Sequence, residues 1–350
     1  MDTEWIYFDA VTGYGKGELN HAAQILRQGG LVAFPTETVY GLGGDGFNPQ
    51  AAKKIYEAKG RPSDNPLILH ISKREELDAI AARIPETAEK LMDAFWPGPM
   101  TLIFEKTKAV PYETTGGLDT VAVRMPSHEG ARQLIESAGV PVAAPSANTS
   151  GRPSPTTAEH VKEDLWGRID MIIDGGPVGI GVESTIIDVT EETPTILRPG
   201  HITKDMIAKV IGTVQMDAGL SGLDPSVKPK APGMKYRHYA PKASMTVIQG
   251  EKEAVIRRIE ELAAEYPKEK VGILAADETL SCYTHGQVVS AGSRNEHTIE
   301  QGLYRALREF DHMGVSVIFS ESFADDDRSE AIMNRLLKAA GQKIEYLSDK

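Results

Sequence analysis

A stretch without a periodic apolar pattern, from Thr213 to Pro241, constrains the fold more than any other feature of the sequence. Glycine, proline, serine and lysine dominate this stretch, a composition that is typical of a linker. The chain has 350 residues, 41% of them hydrophobic, which is enough for two cores. We therefore predict a first domain over residues 1–212, a linker over residues 213–242 and a second domain over residues 243–350.

The part before the linker mixes short apolar runs with amphipathic stretches, and strands outnumber helices. We predict strands at residues 31–34, 66–71, 100–104, 121–124, 141–144, 171–174, 184–189 and 195–198. We predict helices at His21–Gln28, Pro49–Ala58, Arg83–Phe95, Gly130–Ser137, Thr157–Leu165 and Lys204–Ile211. This pattern indicates a mixed α/β domain.

The part after the linker alternates strand-like and helix-like patterns. We predict strands at residues 245–249, 271–275, 287–290 and 315–319, and helices at residues 251–266, 298–313 and 329–340. Such alternation predicts a small doubly wound, Rossmann-like sheet.

Composition narrows the class of protein. The formal net charge of -12 means that the surface as a whole repels phosphate backbones, so any anion site must be local. The single cysteine, Cys282, cannot form an internal disulfide, and no apolar run approaches the roughly 18 residues that a membrane helix requires. We expect a cytoplasmic protein without membrane contact.

Cations precede proline at several predicted strand ends and turns. They are found in Arg61-Pro62, Arg124-Met-Pro126, Arg152-Pro153 and Arg198-Pro199, and Lys59 stands beside the first of them. A residue before proline is held on extended backbone, from which a guanidinium can be aimed at carboxylate or phosphate oxygens. For any one of these arginines alone we favour a solvated turn charge or a salt-bridge partner, but the group together favours a small polyanionic ligand.

Hydroxyl and amide side chains follow or open the same apolar runs. They are Thr36 and Thr38, Ser146 and Asn148, and Ser184 and Thr185. Loops at strand ends are where α/β folds place ligand-binding groups, but these residue types also serve there as caps.

Other site patterns are weak or absent in the sequence. Gly41-Leu-Gly-Gly-Asp-Gly46 matches a dinucleotide fingerprint, but it lies too far beyond the predicted strand at residues 31–34. There is no P-loop, no nucleophile elbow and no metal-ligand spacing among the nine histidines. We expect no metal site built by the protein itself.

Several ordered motifs are distinctive. They read Pro35-Thr-Glu-Thr-Val-Tyr-Gly-Leu42, Lys59-Gly-Arg-Pro-Ser-Asp-Asn-Pro-Leu67 followed by His70, Trp96-Pro-Gly-Pro-Met-Thr101, Val123-Arg-Met-Pro126, Ala144-Pro-Ser-Ala-Asn148, Gly181-Val-Glu-Ser-Thr-Ile186, Leu197-Arg-Pro-Gly200 and Ala231-Pro-Gly-Met-Lys-Tyr-Arg-His-Tyr-Ala-Pro241. Through them the chain resembles, over nearly its whole length, the YrdC-type threonylcarbamoyl-AMP synthases in their long two-domain form.

The resemblance implies a YrdC-like twisted α/β domain with a central cavity, plus a smaller Rossmann-like C-terminal domain. It implies that L-threonine, bicarbonate and ATP give L-threonylcarbamoyl-AMP, pyrophosphate and water, the first step of N6-threonylcarbamoyladenosine formation in tRNAs that read codons starting with A. Mg²⁺ is expected to arrive with ATP, and no organic cofactor is implied. The downstream partner would be the tRNA threonylcarbamoyl-transferase machinery.

The motifs also carry the family's site residues onto this chain. Those expected to bind ATP are Arg61, Asn65, Thr120, Ser146, Ser154 and Arg198, with Tyr236, Arg237 and His238 of the linker. Those expected to bind L-threonine are Thr38, His70, Arg124, the Ala144 backbone and Ser184. The catalytic group is expected to comprise Lys59, Arg61, Ser146 and Asn148. In the resembling proteins the linker folds over the cavity, so we expect residues 231–241 to act as a lid.

Two alternatives remain from the sequence. A concave basic surface of this fold could accept double-stranded RNA, which the acidic net charge disfavours. A carbamoyl transferase of the hydrogenase-maturation type shares core motifs, but it requires cysteine-rich zinc modules that one cysteine cannot build.

Overall fold

The computed structural model describes residues 2–221, 231, 238–295, 298–324 and 329–347. The described residues form two compact units. The first unit comprises the described residues up to 231 except 151–153, and the second comprises residues 151–153 and those from 238 onward. Each unit is described by itself below.

The first unit contains twelve strands among its described residues. The strands are β1 Glu4–Asp9, β2 Gly13–Tyr14, β3 Val32–Phe34, β4 Gly41–Asp45, β5 Ile68–His70, β6 Met100–Glu105, β7 Thr120–Arg124, β8 Val142–Ala143, β9 Met171–Asp174, β10 Thr185–Asp188, β11 Thr195–Arg198 and β12 Gln215–Met216. The helices are α1 Glu18–Arg27, α2 Pro49–Lys59, α3 Glu86–Phe95, α4 Tyr112–Thr115, α5 Glu129–Ala138, α6 Ala158–Leu165 and α7 Lys204–Ile211, and 3-10 turns lie at Arg74–Ala79 and Ala218–Ser221.

These strands form one mixed sheet, which positions the residues of interest. Its order is β12-β11-β10-β6-β7-β5-β8-β4-β3-β9-β1-β2. The central strands β5 and β7 run parallel, β6 lies antiparallel to β7 and parallel to β10, and β8 lies antiparallel to both of its neighbours. A large apolar core under the sheet includes Tyr40, Leu69, Leu102 and Val123, and a second core packs α1 and α5 against Val32 and Phe34.

The helices of the first unit begin where the local chemistry favours a start. The side chains of Asn48, Thr157 and Thr203 cap α2, α6 and α7 by accepting a backbone N–H bond. Helix α3 begins at Glu86, three residues later than the sequence predicts. Pro85 explains the difference, because proline disfavours helical backbone at the residue before it.

The glycine-rich segment Gly41–Asp45 is strand β4 in the interior of the sheet. Its glycines are explained by close packing, because a Cβ on Gly43 would lie 2.8 Å from both Phe34 and Val142 side chains. The match to a dinucleotide fingerprint is therefore a consequence of sheet packing rather than of a phosphate loop.

The substitution Gly43→Ala is expected to destabilise the fold by about 1–3 kcal/mol, because the added methyl overpacks two core side chains. Urea denaturation checks this value. Gly179→Ala is the matched control, since its Cβ would meet only the Glu37 carbonyl oxygen at 4.0 Å. Equal losses in the two variants would contradict the packing argument.

The second unit contains five strands and three α-helices among its described residues. The strands are β13 Ser244–Gln249, β14 Val271–Ala276, β15 Gln287–Gly292, β16 Val317–Glu321 and β17 Ile344–Tyr346. The helices are α8 Lys252–Ala263, α9 Ile299–Met313 and α10 Ser329–Ala339, with 3-10 turns at Lys268–Lys270 and Asp277–Cys282. The sheet order is β15-β14-β16-β13-β17, and every adjacent pair is parallel.

The fold class predicted from the sequence is confirmed, with a mixed α/β first unit and a parallel, Rossmann-like second unit. The prediction missed β1, β2, β4, β12 and β17. Within the described ranges, no helix is long and apolar enough to cross a membrane.

Candidate active site

Polar residues from four neighbouring strands meet at one end of the first unit's sheet. The register pairs Arg124 of β7 with His70 of β5 on one side and with Thr101 of β6 on the other. Strand β10 lies on the other side of β6, where Thr185 of β10 pairs with Met100 of β6. The sheet register therefore brings motifs from distant parts of the sequence side by side.

Arg124 is the centre of this group and is only 4% exposed. Its Nη1 donates to Thr38 Oγ1 at 2.9 Å, and its Nε donates to the Gly98 carbonyl at 3.3 Å. Its Nη2 lies 2.6 Å from Glu37 Oε1, as an ion pair without hydrogen-bond alignment. The buried Nη2 therefore retains the capacity to donate to a bound carboxylate.

Glu37 balances the charge of Arg124. Burial raises the pKa of this carboxyl, but the positive charge of Arg124 is the main opposing effect, and the pKa lies below its ordinary value. Glu37 is therefore an anion that holds the guanidinium in place. Glu37 is not among the site residues predicted from the sequence, although it stands between Thr36 and Thr38 in a distinctive motif.

His70 is neutral at physiological pH. Burial, followed by the positive charge of Arg124, lowers the pKa of His70 to about 3. Its Nδ1 lies 3.2 Å from the Ile68 carbonyl, and its ring meets Phe34 edge-on at 6.3 Å between centroids. A neutral imidazole beside an arginine adds hydrogen-bonding capacity without adding a second positive charge.

The depressed pKa of His70 makes the stability of the protein depend on pH. Below pH 6.5, the ordinary pKa of histidine, His70 binds a proton in the unfolded chain but not in the folded protein. The free energy of unfolding therefore falls as the pH drops from about 6.5 towards 3. We expect His70→Gln to reduce the slope of unfolding free energy against pH by up to about 1.4 kcal/mol per pH unit. Urea unfolding between pH 4.5 and 7 measures it, and His21→Gln, at an exposed histidine, serves as the control. An unchanged slope in His70→Gln would contradict the assignment.

Ser184 and Arg198 complete this end of the sheet. Ser184 Oγ lies 2.7 Å from Thr101 Oγ1, and Arg198 Nη2 donates to Ser184 Oγ at 3.1 Å. Arg198 Nε also donates to the Ser184 carbonyl at 3.0 Å. Thr101 is thus a further contact residue that the sequence analysis did not include among the site residues.

Lys59 ends helix α2 and is 1% exposed. Its ammonium donates to the backbone carbonyls of Ser146 and Asn148, the latter at 2.5 Å. Ser146 Oγ in turn donates to Asn148 Oδ1 at 2.5 Å. The residues predicted to be catalytic, apart from Arg61, therefore form one hydrogen-bonded cluster.

Backbone bonds fix this cluster beside β4. Leu42 N–H donates to the Pro145 carbonyl and Ala147 N–H to the Tyr40 carbonyl, both at 2.8 Å. The Ala144 N–H donates to the Ile68 carbonyl at 2.9 Å, which ties the same segment to β5. The segment is therefore held between the strands that precede and follow α2.

Arg61 and Asn65 lie in the loop after α2. Arg61 Nε donates to the Asn65 carbonyl at 3.2 Å, and its Nη2 donates to the Pro66 carbonyl at 3.0 Å. Asn65 is buried, and its side-chain Oδ1 has no hydrogen-bond partner. A buried acceptor without a donor is costly, so a ligand donor at this position would stabilise it.

An apolar floor connects the two ends of the site. Alternation along β7 puts Thr120, Ala122 and Arg124 on one face, with about 13 Å between the first and the last. Ala122 packs in a buried cluster whose members are Ile68, Ile103, Ala122, Ile186, Leu197 and Ala231. The side chains of this floor are buried, on the side of β7 that also carries Thr120 and Arg124.

The remaining predicted residues are distributed as follows. Ser154 is buried, and its Oγ donates to Glu183 Oε1 at 2.5 Å, which adds Glu183 to the residues that the sequence analysis missed. His238 belongs to the second unit, where its ring centroid lies 5.5 Å from that of Tyr239. Tyr236 and Arg237 lie outside the described residues, as does most of the predicted lid. Their assignment to ATP stays a prediction.

Within the described ranges, no group of three or more His, Cys, Asp and Glu side chains is arranged to hold a metal ion. The first unit's site instead offers ammonium, guanidinium, hydroxyl and amide groups. This donor set suits a polyanion that brings its own divalent cation.

The mixed sheet with buried cations at its strand ends and the parallel second unit define an α/β protein of two units with a cationic site in the first. Residues 24–200 match the sequence family described as telomere recombination, and residues 202–341 match that described as threonylcarbamoyl-AMP synthase, C-terminal domain. The chain belongs to the threonylcarbamoyl-AMP synthases, and it is an enzyme of that activity.

Some of the relatives cover nearly the whole chain. The threonylcarbamoyl-AMP synthase of Pyrococcus abyssi is 51% identical over 325 residues, 92% of this chain and 94% of that protein. That of Bacillus subtilis is 51% identical over 331 residues, 93% of this chain and 94% of that protein. The crystal structure of P. abyssi Sua5 complexed with L-threonine has a TM-score of 0.93 and 48% identity, covering 99% of this chain and 100% of that one. These findings do not favour the RNA-binding alternative.

Proposed function

We propose that the site in the first unit condenses L-threonine, bicarbonate and ATP to L-threonylcarbamoyl-AMP, pyrophosphate and water. The observation that carries this proposal is the buried pairing of Arg124 with Glu37, Thr38 and the neutral His70 at one end of an apolar floor. Lys59 and Arg61 supply cations near the same strands. The similar structure from P. abyssi, which was solved with L-threonine, supports the amino-acid part of the proposal.

L-Threonine would bind at the Arg124 end. The carboxylate would accept from Arg124, whose Nη2 has no aligned hydrogen-bond partner. The hydroxyls of Thr38 and Ser184, the neutral His70 and the Ala144 backbone would surround the rest of the amino acid. Because Arg124 takes the carboxylate, the amine is left free to react.

The reaction needs two bond-forming steps. The threonine amine attacks the carbon of bicarbonate or of CO2 derived from it, and an N-carboxylate forms with loss of water. An oxygen of this carboxylate then attacks the α-phosphorus of ATP, and pyrophosphate leaves. Adenylyl transfer of this kind depends on positioning and on neutralising charge rather than on a protein nucleophile.

ATP would lie along the floor. The adenosine part would contact the apolar cluster, Thr120 and the unpaired Asn65 Oδ1. Lys59, Arg61 and Arg198 would contact the phosphates. Ser146, Asn148 and Ser154 would lie beside the phosphates. Mg²⁺ carried by ATP would share the neutralisation of the departing pyrophosphate.

The product is a mixed anhydride that hydrolyses readily, so it must be consumed soon after release. We expect this step to take place in the cytoplasm and to supply the tRNA threonylcarbamoyl-transferase machinery. We also expect residues 231–241 to limit the access of water to the bound product.

The test is pyrophosphate release by the purified full-length protein with Mg-ATP, in the complete mixture and in mixtures that lack L-threonine or bicarbonate. Release that requires both substrates, together with the product mass, is the expected result. Pyrophosphate release that is independent of threonine would contradict the proposal, because it would mean that another acceptor is adenylylated.

A further inference from the structure

The segment Gly151–Pro153 belongs to a different unit from the residues on either side of it. These residues are part of the second unit, whereas the chain directly before and after them is part of the first. Ser146 and Asn148 of the candidate site stand shortly before the segment, and Ser154 follows it directly. The placement of this short segment therefore bears on several residues of the site.

The backbone around Ser154 is stiff. The sequence reads Arg152-Pro153-Ser154-Pro155, so a proline with fixed φ stands on each side of the serine. Pro155 also disfavours helical backbone at Ser154, as Pro153 does at Arg152. A displacement of Pro153 is therefore passed on to Ser154 instead of being absorbed by backbone rotation.

Both flanks of the segment are anchored within the first unit. Ser150 N–H donates to the Lys59 carbonyl at 2.8 Å, and Tyr40 N–H donates to the Pro155 carbonyl at 2.9 Å. Lys59 belongs to the predicted catalytic group. The segment is thus a short span between residues that are fixed at the site.

Helix α9 holds the segment within the second unit. Arg308 of this helix is fully buried, and its Nη2 donates to the Pro153 carbonyl at 2.7 Å. A hydrogen bond from a charged donor is stronger than one between neutral groups. Arg152 Nη2 lies 3.6 Å from Oδ2 of Asp311, which is on the same face of α9 one turn further along. Side chains of one helix therefore contact successive residues of the segment.

The chain at residues 239–240 holds the first residue of the segment. Ala240 N–H donates to the Gly151 carbonyl at 2.8 Å. Tyr239 stacks on Tyr304 of α9, with 5.2 Å between the ring centroids. Gly151 has a φ of 91°, in the left-handed region that favours glycine. Every residue of the segment is thus held by contacts within the second unit.

Helix α9 is itself closely packed on the sheet of the second unit. A Cβ on Gly302 would clash with the Ala291 carbonyl of β15, so the helix backbone lies directly against that strand. Phe310 packs on Gly272 of β14, where an added Cβ would lie 2.6 Å from the phenyl ring. Such close packing leaves the helix little freedom to shift, so it is a rigid support for the residues that it contacts.

We propose that helix α9 positions Ser154 for ATP binding, and that Arg308 is the positioning residue. Arg308 acts through the Pro153 carbonyl, and the stiff backbone carries the constraint to Ser154. The inference rests on the proposed function, because it takes Ser154 as a contact of ATP. It gives the second unit a part in ATP binding, whereas the residues expected to bind L-threonine lie outside the segment and its proline-bounded flank.

Isothermal titration calorimetry of Mg-ATP with the full-length protein tests the proposal. Arg308→Met is expected to weaken Mg-ATP binding by about tenfold, the usual effect of one well-placed hydrogen bond on a binding equilibrium. In steady-state pyrophosphate release, the KM for ATP should rise by a similar factor, while the KM for L-threonine stays within about twofold. Arg308→Lys keeps a donor for the Pro153 carbonyl and is expected to recover part of the affinity.

The matched control is Arg305→Met, at an exposed arginine of the same helix, which should bind Mg-ATP like the unmodified protein. Asp311→Asn is a second, milder variant, since it removes the charge that faces Arg152. It is expected to weaken Mg-ATP binding by about threefold. Circular dichroism shows which variants fold, and Asp311→Asn decides the matter if Arg308→Met does not.

Unchanged Mg-ATP affinity in folded Arg308→Met, or in Asp311→Asn if it alone folds, would overturn the proposal. So would an equal rise of the KM for ATP and for L-threonine, because a purely structural role of Arg308 would not distinguish the two substrates. Absence of Mg-ATP binding to the unmodified protein would overturn it as well. An unmodified protein that binds Mg-ATP but releases no pyrophosphate would contradict only the proposed reaction, because the calorimetric comparison does not depend on turnover.

Discussion

The substitution Lys59→Met is expected to lower the turnover number for pyrophosphate release by about 100-fold or more, the usual effect of removing one preorganised charge donor. The Lys59 ammonium is buried and bonds the carbonyls of Ser146 and Asn148. Methionine fills similar volume but leaves those carbonyls without this donor, which adds a stability loss of about 1–3 kcal/mol. Turnover is measured at saturating L-threonine, bicarbonate and Mg-ATP.

The matched control is Lys53→Met, on the same helix but exposed and only loosely paired with Glu113 at 3.9 Å. It should retain nearly full turnover. A thermal melt separates the two effects of Lys59→Met, because a purely structural role would lower the melting temperature while folded protein kept normal turnover. That outcome would remove Lys59 from the catalytic group.

The parts of the fold that sequence analysis predicted are those in which pattern and packing agree. The runs at residues 171–174 and 195–198 are strands with those bounds, because each contains consecutive apolar residues that are buried in the sheet. The helix at Lys204–Ile211 also has the predicted bounds, since Thr203 caps it and Gly212 follows it. The local sequence was therefore sufficient to predict the bounds of these elements.

The missed strands fall into two classes. Strand β1 alternates buried Ile6 and Phe8 with more exposed neighbours, so its signal was present in the sequence. Strand β4 is mostly glycine and lacks any strand propensity. Its conformation comes from the tertiary contacts of β3 and β8, which no local pattern contains.

The contacts within the candidate site are also not contained in any local sequence pattern. The motifs indicated which residue types were important, but the ion pair between Glu37 and Arg124 joins residues 87 positions apart. Only the sheet register, which sets Arg124 beside His70 and Thr101, brings these residues together at one end of the sheet. Glu183 was missed for the same reason, because its partner Ser154 is 29 residues away along the chain.

The substitution Arg124→Lys is expected to raise the KM for L-threonine by about 100-fold, or about 2.8 kcal/mol of binding free energy, with a smaller effect on the KM for ATP. Arginine contacts Thr38, Glu37 and Gly98 through three different nitrogens, and the Nη2 beside Glu37, which has no aligned hydrogen bond, is the nitrogen that can donate to the ligand carboxylate. A lysine ammonium has only three donors and no planar fork. It therefore cannot keep the contacts with Thr38, Glu37 and Gly98 and also donate to the ligand carboxylate.

Steady-state pyrophosphate release at varied L-threonine measures this effect, and Arg83→Lys, at an exposed position, is the control. The comparison of two Michaelis constants is the decisive part of the experiment. If Arg124 only supported the sheet, its replacement would change the constants for threonine and ATP together, or would change neither. A selective rise for threonine follows only if the guanidinium contacts the amino-acid carboxylate directly.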